Sequence, residues 1–279
     1  PSHGKTLQTL AERPLLGRSQ QQDSLERNAM SVIRFDVAKQ VATITLDSPS
    51  NRNALGTAMR EELAAALKTV RTDPNIRAMV LTGAGGHFSA GGDIKGMAAN
   101  QSMDPAGWRS RMQELHVYLH DLLTMDKPII SAVDGYAYGA GFSMAITADF
   151  VLATPRAKFC MSFLRIGLVP DVGALHTLPR IVGVQRAKEI MLSAREVSAA
   201  EALSLGIVME LHEPEALLAR AQAMAESFVH ASPTAMSLIK RTLAASHGGD
   251  LAATLDTEAN SQALAGTAAE HRAAVQRFI

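Results

Sequence analysis

The chain has 279 residues, is 47% hydrophobic and 19% charged, and carries 27 basic against 27 acidic side chains. That balance belongs to an ordinary globular protein and gives no global field that would recruit nucleic acid. The single cysteine, Cys160, excludes an intrachain disulfide framework and a multi-cysteine zinc site, and no apolar run reaches the ~18 residues of a spanning helix, so a cytoplasmic protein with no membrane partner is expected.

Residues 1–30 are polar, lack the apolar middle of a signal peptide, and read as a loose extension. Val32 to Val37 and Val41 to Leu46 alternate and predict paired strands. Met59, Leu63, Ala66, Leu67 and Val70 recur at helical spacing, and Asp73-Pro74 ends that helix. Ile76 to Thr82 predicts a buried strand leading into a glycine-rich run, His87-Phe88-Ser89-Ala90-Gly91-Gly92-Asp93-Ile94-Lys95. Asp104-Pro105 caps a further helix whose apolar face is Trp108, Met112, Leu115, Leu119 and Leu122. Pro128 to Val133 is the next strand and leads into a second run, Gly135-Tyr136-Ala137-Tyr138-Gly139-Ala140-Gly141, with a helix after it. Phe150 to Ala153 is another strand. The repeated order of strand, loop and helix implies a layered α/β core over residues 31–212. Ser198 to Glu201 is a capping box, Gly206 marks a helix end, and Ile207 to Leu211 is a last strand. Residues 213–279 are alanine-rich and helical, with Ser232-Pro233 opening one helix.

Glycine lets a backbone turn sharply and lets a ligand approach it. The N–H groups of Gly92 and Ala140 are therefore candidates for holding a negatively charged oxygen, with a helix start at Ala140 adding to the donors. Taken alone, each loop reads first as a tight turn packed under a helix.

Together the two runs resemble those of the enoyl-CoA hydratase/isomerase (crotonase) superfamily. The resemblance also takes in Leu46 to Leu55 and Gly167-Leu168-Val169-Pro170-Asp171-Val172-Gly173, and it spans nearly all of residues 31–278. It implies a crotonase-type ββα superhelix with a helical C-terminal trimerisation region. It implies an acyl-CoA thioester as substrate, with no further cofactor, and self-association as a homotrimer or dimer of trimers. It places the oxyanion N–H groups on Gly92 and Ala140. The backbone of Ala90, Gly91, Asp93 and Ile94 would line the adenine end of coenzyme A, and Arg52 and Ala54 join the substrate-binding set. Arg52, Lys95 and Lys240 are candidates for neutralising its phosphates.

The hydratases of this family hold a water between two glutamates. By motif alignment those positions fall on Ser143 and Phe163, which line the substrate site without supplying an acid or base at neutral pH. Asp171 stands where isomerase-type members carry an aspartate. One carboxylate suffices for a 1,3-proton shift, and the apolar Ile166 to Pro170 run would raise its pKa. Read without the resemblance, Asp171 caps the helix starting near Val172. His116 and His120 share a helix face, but no third ligand accompanies them, so no metal is expected. An enoyl-CoA isomerase with Asp171 as proton shuttle is the favoured expectation. A hydratase or another thioester reaction with an unrecognised base is second. A non-catalytic acyl-CoA-binding oligomer is third.

Overall fold

The computed structural model describes residues 31–99, 103–246, 248, 250–277 and 279. The extension read at residues 1–30 therefore lies outside the described residues. Strands β1 (Ile33–Ala38) and β2 (Val41–Leu46) form a hairpin in register Ile33 to Leu46. Strands β3 (Ala78–Gly83), β4 (Ile129–Val133), β6 (Phe150–Ala153) and β9 (Glu210–Leu211) join it in parallel, giving a six-stranded sheet of order β1-β2-β3-β4-β6-β9. A second sheet of three short strands holds β5 (Tyr136–Tyr138), β7 (Lys158–Cys160) and β8 (Glu196–Ser198) in the order β5-β7-β8.

The large sheet is covered on both faces, so its central strands read as continuous apolar runs. In β3, Met79 and Leu81 enter the main core with Met59, Leu63 and Leu67 of helix α1 (Thr57–Thr72). Ala78 and Val80 point the other way, onto Leu217, Ala221 and Met224 of a helix spanning Pro214–Ser227. Each fully buried side chain of this size contributes about 1.5–3 kcal/mol. Both helices are thus fixed by the period-two alternation of the sheet they cover.

The chain visits both sheets in turn. β4 leads into β5, and β6 leads into β7. From β3 the chain reaches Ser89, whose N donates to Tyr136 O at 2.9 Å and whose O accepts from Tyr138 N at 2.9 Å. The first glycine-rich run is therefore laid along β5 as an extra strand, and Leu55 bridges Gly92 on its other side. This is the expected spiral, with one difference. The second run contains a strand where a loop was expected, because Tyr136 to Tyr138 find partners on both edges.

Asn53 locks the first run in place. It is fully buried with φ 57°, a left-handed conformation that asparagine tolerates. Its Nδ2 donates to Ala84 O at 2.9 Å and His87 O at 2.8 Å, and its Oδ1 accepts from Ser48 N at 2.8 Å. Asn53→Ala strands several buried groups and should cost about 3 kcal/mol. A shifted denaturant midpoint with unchanged slope would show it.

The capping box forms only in part. Ser198 Oγ accepts from Glu201 N at 3.2 Å, while the Glu201 carboxylate is taken by Arg195 at 2.7 and 2.9 Å. The predicted last strand shrinks to Glu210–Leu211. Beyond it three helices, Pro233–Ser246, Leu251–Thr267 and Ala269–Gln276, have no buried residue. Among the described residues no helix is long and apolar enough to cross a membrane.

Candidate active site

The two glycine-rich runs abut. A methyl group on Gly91, whose φ is +87°, would lie 2.4 Å from Tyr138 O and 3.2 Å from the N of Ala140. Gly141 is pressed as closely, its missing Cβ 2.6 Å from Ser89 O. Only glycine lets the runs approach this far. Gly92 and Ala140, one from each run, then share the wall of a cavity of about 330 Å³. Among the described residues neither N–H has an acceptor, although Ala140 is the first residue of helix α4 (Ala140–Ala145). Two unspent backbone donors at one cavity can bind an oxygen that gains negative charge.

Asp171 lines the same cavity. Its Oδ1 is buried without a hydrogen-bond partner among the described residues. Burial raises its pKa from 3.8 to about 6, opposed by a hydrogen bond to its own backbone and, more weakly, by the charge of Arg111. The capping alternative does not hold. The helix that follows, Ala174–Val182, has Gly173 at its cap and no side-chain cap bond. Between them Val172 adopts φ 51°, a costly left-handed conformation for a β-branched residue, so the carboxylate sits beside local backbone strain.

The rest of the wall is largely apolar, with Leu55, Met97, Trp108, Met112 and Leu115 among its residues. The last three lie on helix α3 (Pro105–Leu123), where Asp104 caps the start by accepting from Gly107 N at 2.7 Å. The sequence presents them as one apolar face with Leu119 and Leu122. In the fold the face divides: Leu119 and Leu122 enter the core, and the other three border the cavity. Two arginines, Arg60 and Arg111, also line it and carry no sequence-based expectation.

The remaining sequence candidates lie elsewhere. Ser143 is fully buried, with Oγ donating to Gly139 O at 3.2 Å, and Phe163 is buried behind Gly139; neither lines the cavity. Phe163 instead closes a turn by accepting Leu168 N at 3.0 Å, which leads the chain back toward Asp171. Asp93 lines an adjoining recess, and Ile94 is 61% exposed. Ala90 donates its N–H to Arg52 O at 2.8 Å, and Ala54 donates its N–H to Asn51 Oδ1 at 3.1 Å. Arg52 lies over the Tyr136 ring, which stacks on His87 at 4.6 Å. Lys95 is exposed. Lys240 Nζ is committed to Asp149 Oδ2 at 2.6 Å and Lys127 O at 2.9 Å, which ties its helix to the core.

The enoyl-CoA hydratase/isomerase family model matches residues 36–279. The chain belongs to the crotonase family. A crystal structure of an enoyl-CoA hydratase/isomerase from Cupriavidus metallidurans superposes with a TM-score of 0.84 at 45% identity, covering 88% of this chain and 92% of that one. The 1,2-epoxyphenylacetyl-CoA isomerase of Escherichia coli is 34% identical over 255 residues, 90% of this chain and 96% of its own length. The probable enoyl-CoA hydratase of Rhodobacter capsulatus is 36% identical over 248 residues, 88% and 94% of the two chains. The fold, a mixed α/β crotonase spiral with C-terminal helices, is the one expected. Within the crotonase family, relatives at comparable identity carry names of different reactions, so sequence identity alone does not select one.

Proposed function

We propose that the protein is an enoyl-CoA isomerase that moves a double bond along an acyl-CoA thioester. The N–H groups of Gly92 and Ala140 hold the thioester oxygen. Asp171 takes a proton from the carbon next to the thioester, the bound oxygen carries the charge of the resulting dienolate, and Asp171 returns the proton two carbons further on. No atom is gained or lost and no redox partner is needed. One observation carries this reading: a single carboxylate, poised near neutrality by burial, shares a cavity with both free N–H groups. A hydratase needs a second group to hold its water, and Ser143 and Phe163 contribute none. The isomerase name of the Escherichia coli relative agrees with this choice.

The acting species is proposed to be a homotrimer or dimer of trimers, built through the C-terminal helices. Those helices expose Ile239, Leu243, Leu251, Leu255 and Leu264, each more than half accessible in the single chain. The test of the reaction is turnover of matched 3-enoyl-CoA and trans-2-enoyl-CoA series. Conversion of 3-enoyl to 2-enoyl thioesters is expected. Hydration of the 2-enoyl series without isomerisation would overturn the isomerase reading, and tight binding without any turnover would leave a non-catalytic acyl-CoA-binding protein.

A further inference from the structure

We propose that Arg111, with Arg60 beside it, receives a carboxylate carried on the far part of the acyl chain, so that the preferred substrate is the coenzyme A thioester of a dicarboxylic acid. This rests on the acyl-CoA reading of the cavity and names the acyl group it takes.

Arg111 stands on α3 inside the apolar stripe, three residues after Trp108 and four before Leu115. Its guanidinium carbon lies 5.4 Å from the centre of the Trp108 ring, which fixes one face of the group. Its Nε is buried and has no acceptor among the described residues. Arg60 approaches from α1, and among the described residues its side chain makes one hydrogen bond, from Nη2 to Thr57 Oγ1 at 3.3 Å. Acidic groups are near: Asp171 lines the cavity, and Asp93, Glu61 and Glu114 line recesses that both arginines share. None forms an ion pair with either arginine among the described residues. Asp171 in particular is not held down by Arg111 as a paired carboxylate would be, since burial outweighs that charge and its pKa goes up.

A buried guanidinium nitrogen with an unmade hydrogen bond is costly, and a plain acyl chain filling this cavity would leave it so. A carboxylate instead matches the planar fork with two charge-assisted hydrogen bonds. The cavity is small, near the lower end of the roughly 300–1,000 Å³ range of ligand clefts, so it takes a short acyl chain whose far end reaches the arginines.

Titration calorimetry with two saturated thioesters of equal chain length, adipyl-CoA and hexanoyl-CoA, tests this without any chemistry at Asp171. Adipyl-CoA should bind at least about tenfold more tightly to the wild type, the weight of one charge-assisted bond. In Arg111→Met that ratio should fall to about one, and Arg111→Lys should keep part of it. Equal affinities in the wild type, a preference for hexanoyl-CoA, or a ratio untouched by Arg111→Met would each overturn the proposal. Should Arg111→Met fail to fold, the wild-type ratio and its retention in Arg111→Lys decide. An adipyl preference in a protein that isomerises no 3-enoyl-CoA would sink the isomerase reading and leave this one standing. Isomerisation with no adipyl preference would do the reverse.

Discussion

Asp171→Asn should lose between about 10² and 10⁴ in kcat on a 3-enoyl-CoA while gaining stability at neutral pH. The two effects share one cause. The folded carboxyl titrates near 6, against an ordinary value of 3.8, because burial opposes its charge. Between those values the folded state keeps the proton and the unfolded state releases it, so stability falls as pH rises through the interval. At about 1.4 kcal/mol per pH unit, holding the charged form at pH 7 costs up to about 3 kcal/mol. Asparagine never charges and escapes that cost. Its advantage in thermal or denaturant unfolding should be full above pH 6 and vanish below about pH 4. On the proposed mechanism the same titration governs the activity of the wild type, since only the ionised carboxylate can take a proton. Its kcat/KM should therefore decline on the acid side with a midpoint near 6. Undiminished turnover in Asp171→Asn would remove the aspartate from the reaction. Lost turnover without any gain in stability would mean that the carboxylate is charged at less cost than its burial implies.

Ala140→Pro should remove one donor of the proposed oxyanion pair and leave the helix start intact. Position 140 is the first residue of α4, where proline is tolerated because that N–H has no helical acceptor. Losing one such donor typically costs about 2.7–4 kcal/mol of transition-state stabilisation, or roughly 10²–10³ in kcat. Ala140→Gly keeps the N–H and should fall far less. The loss should appear in kcat rather than in KM, because the bond strengthens only as the oxygen gains charge. Equal damage from proline and glycine would point to packing of the two runs, not to the donor.

The elements best read from the sequence are those whose partners lie within the same periodic segment. Met59, Leu63, Ala66, Leu67 and Val70 announce α1 because all five fall on its one buried face. The three-residue strands β5, β7 and β8 leave no such mark. Tyr136 to Tyr138 sit between glycines, and their strand character comes from Ser89 on one side and β7 on the other. At the site, glycine pairs pointed to Gly92 and Ala140 because close approach leaves few alternatives. Asp171 was legible only through the family resemblance, since an aspartate before a helix reads equally as a cap. Arg111 was missed, although a signal was present. It falls at helical spacing within the stripe of Trp108, Met112 and Leu115, and a cation inside an apolar stripe is out of place on a helix that only covers a core.

The bare C-terminal helices bear on how the chain reaches its working form. Helix Pro233–Ser246 holds to the body through polar ties, Lys240 to Asp149 and Arg241 to Asp126, while its Ile239 and Leu243 stay exposed. On the proposed trimer, covering those side chains is a third-order event. The free energy of the folded state then includes a concentration term: each dilution weakens it, and each copy supplied strengthens the others. Durability of a protein assembled in that way would depend on its abundance as well as on its sequence.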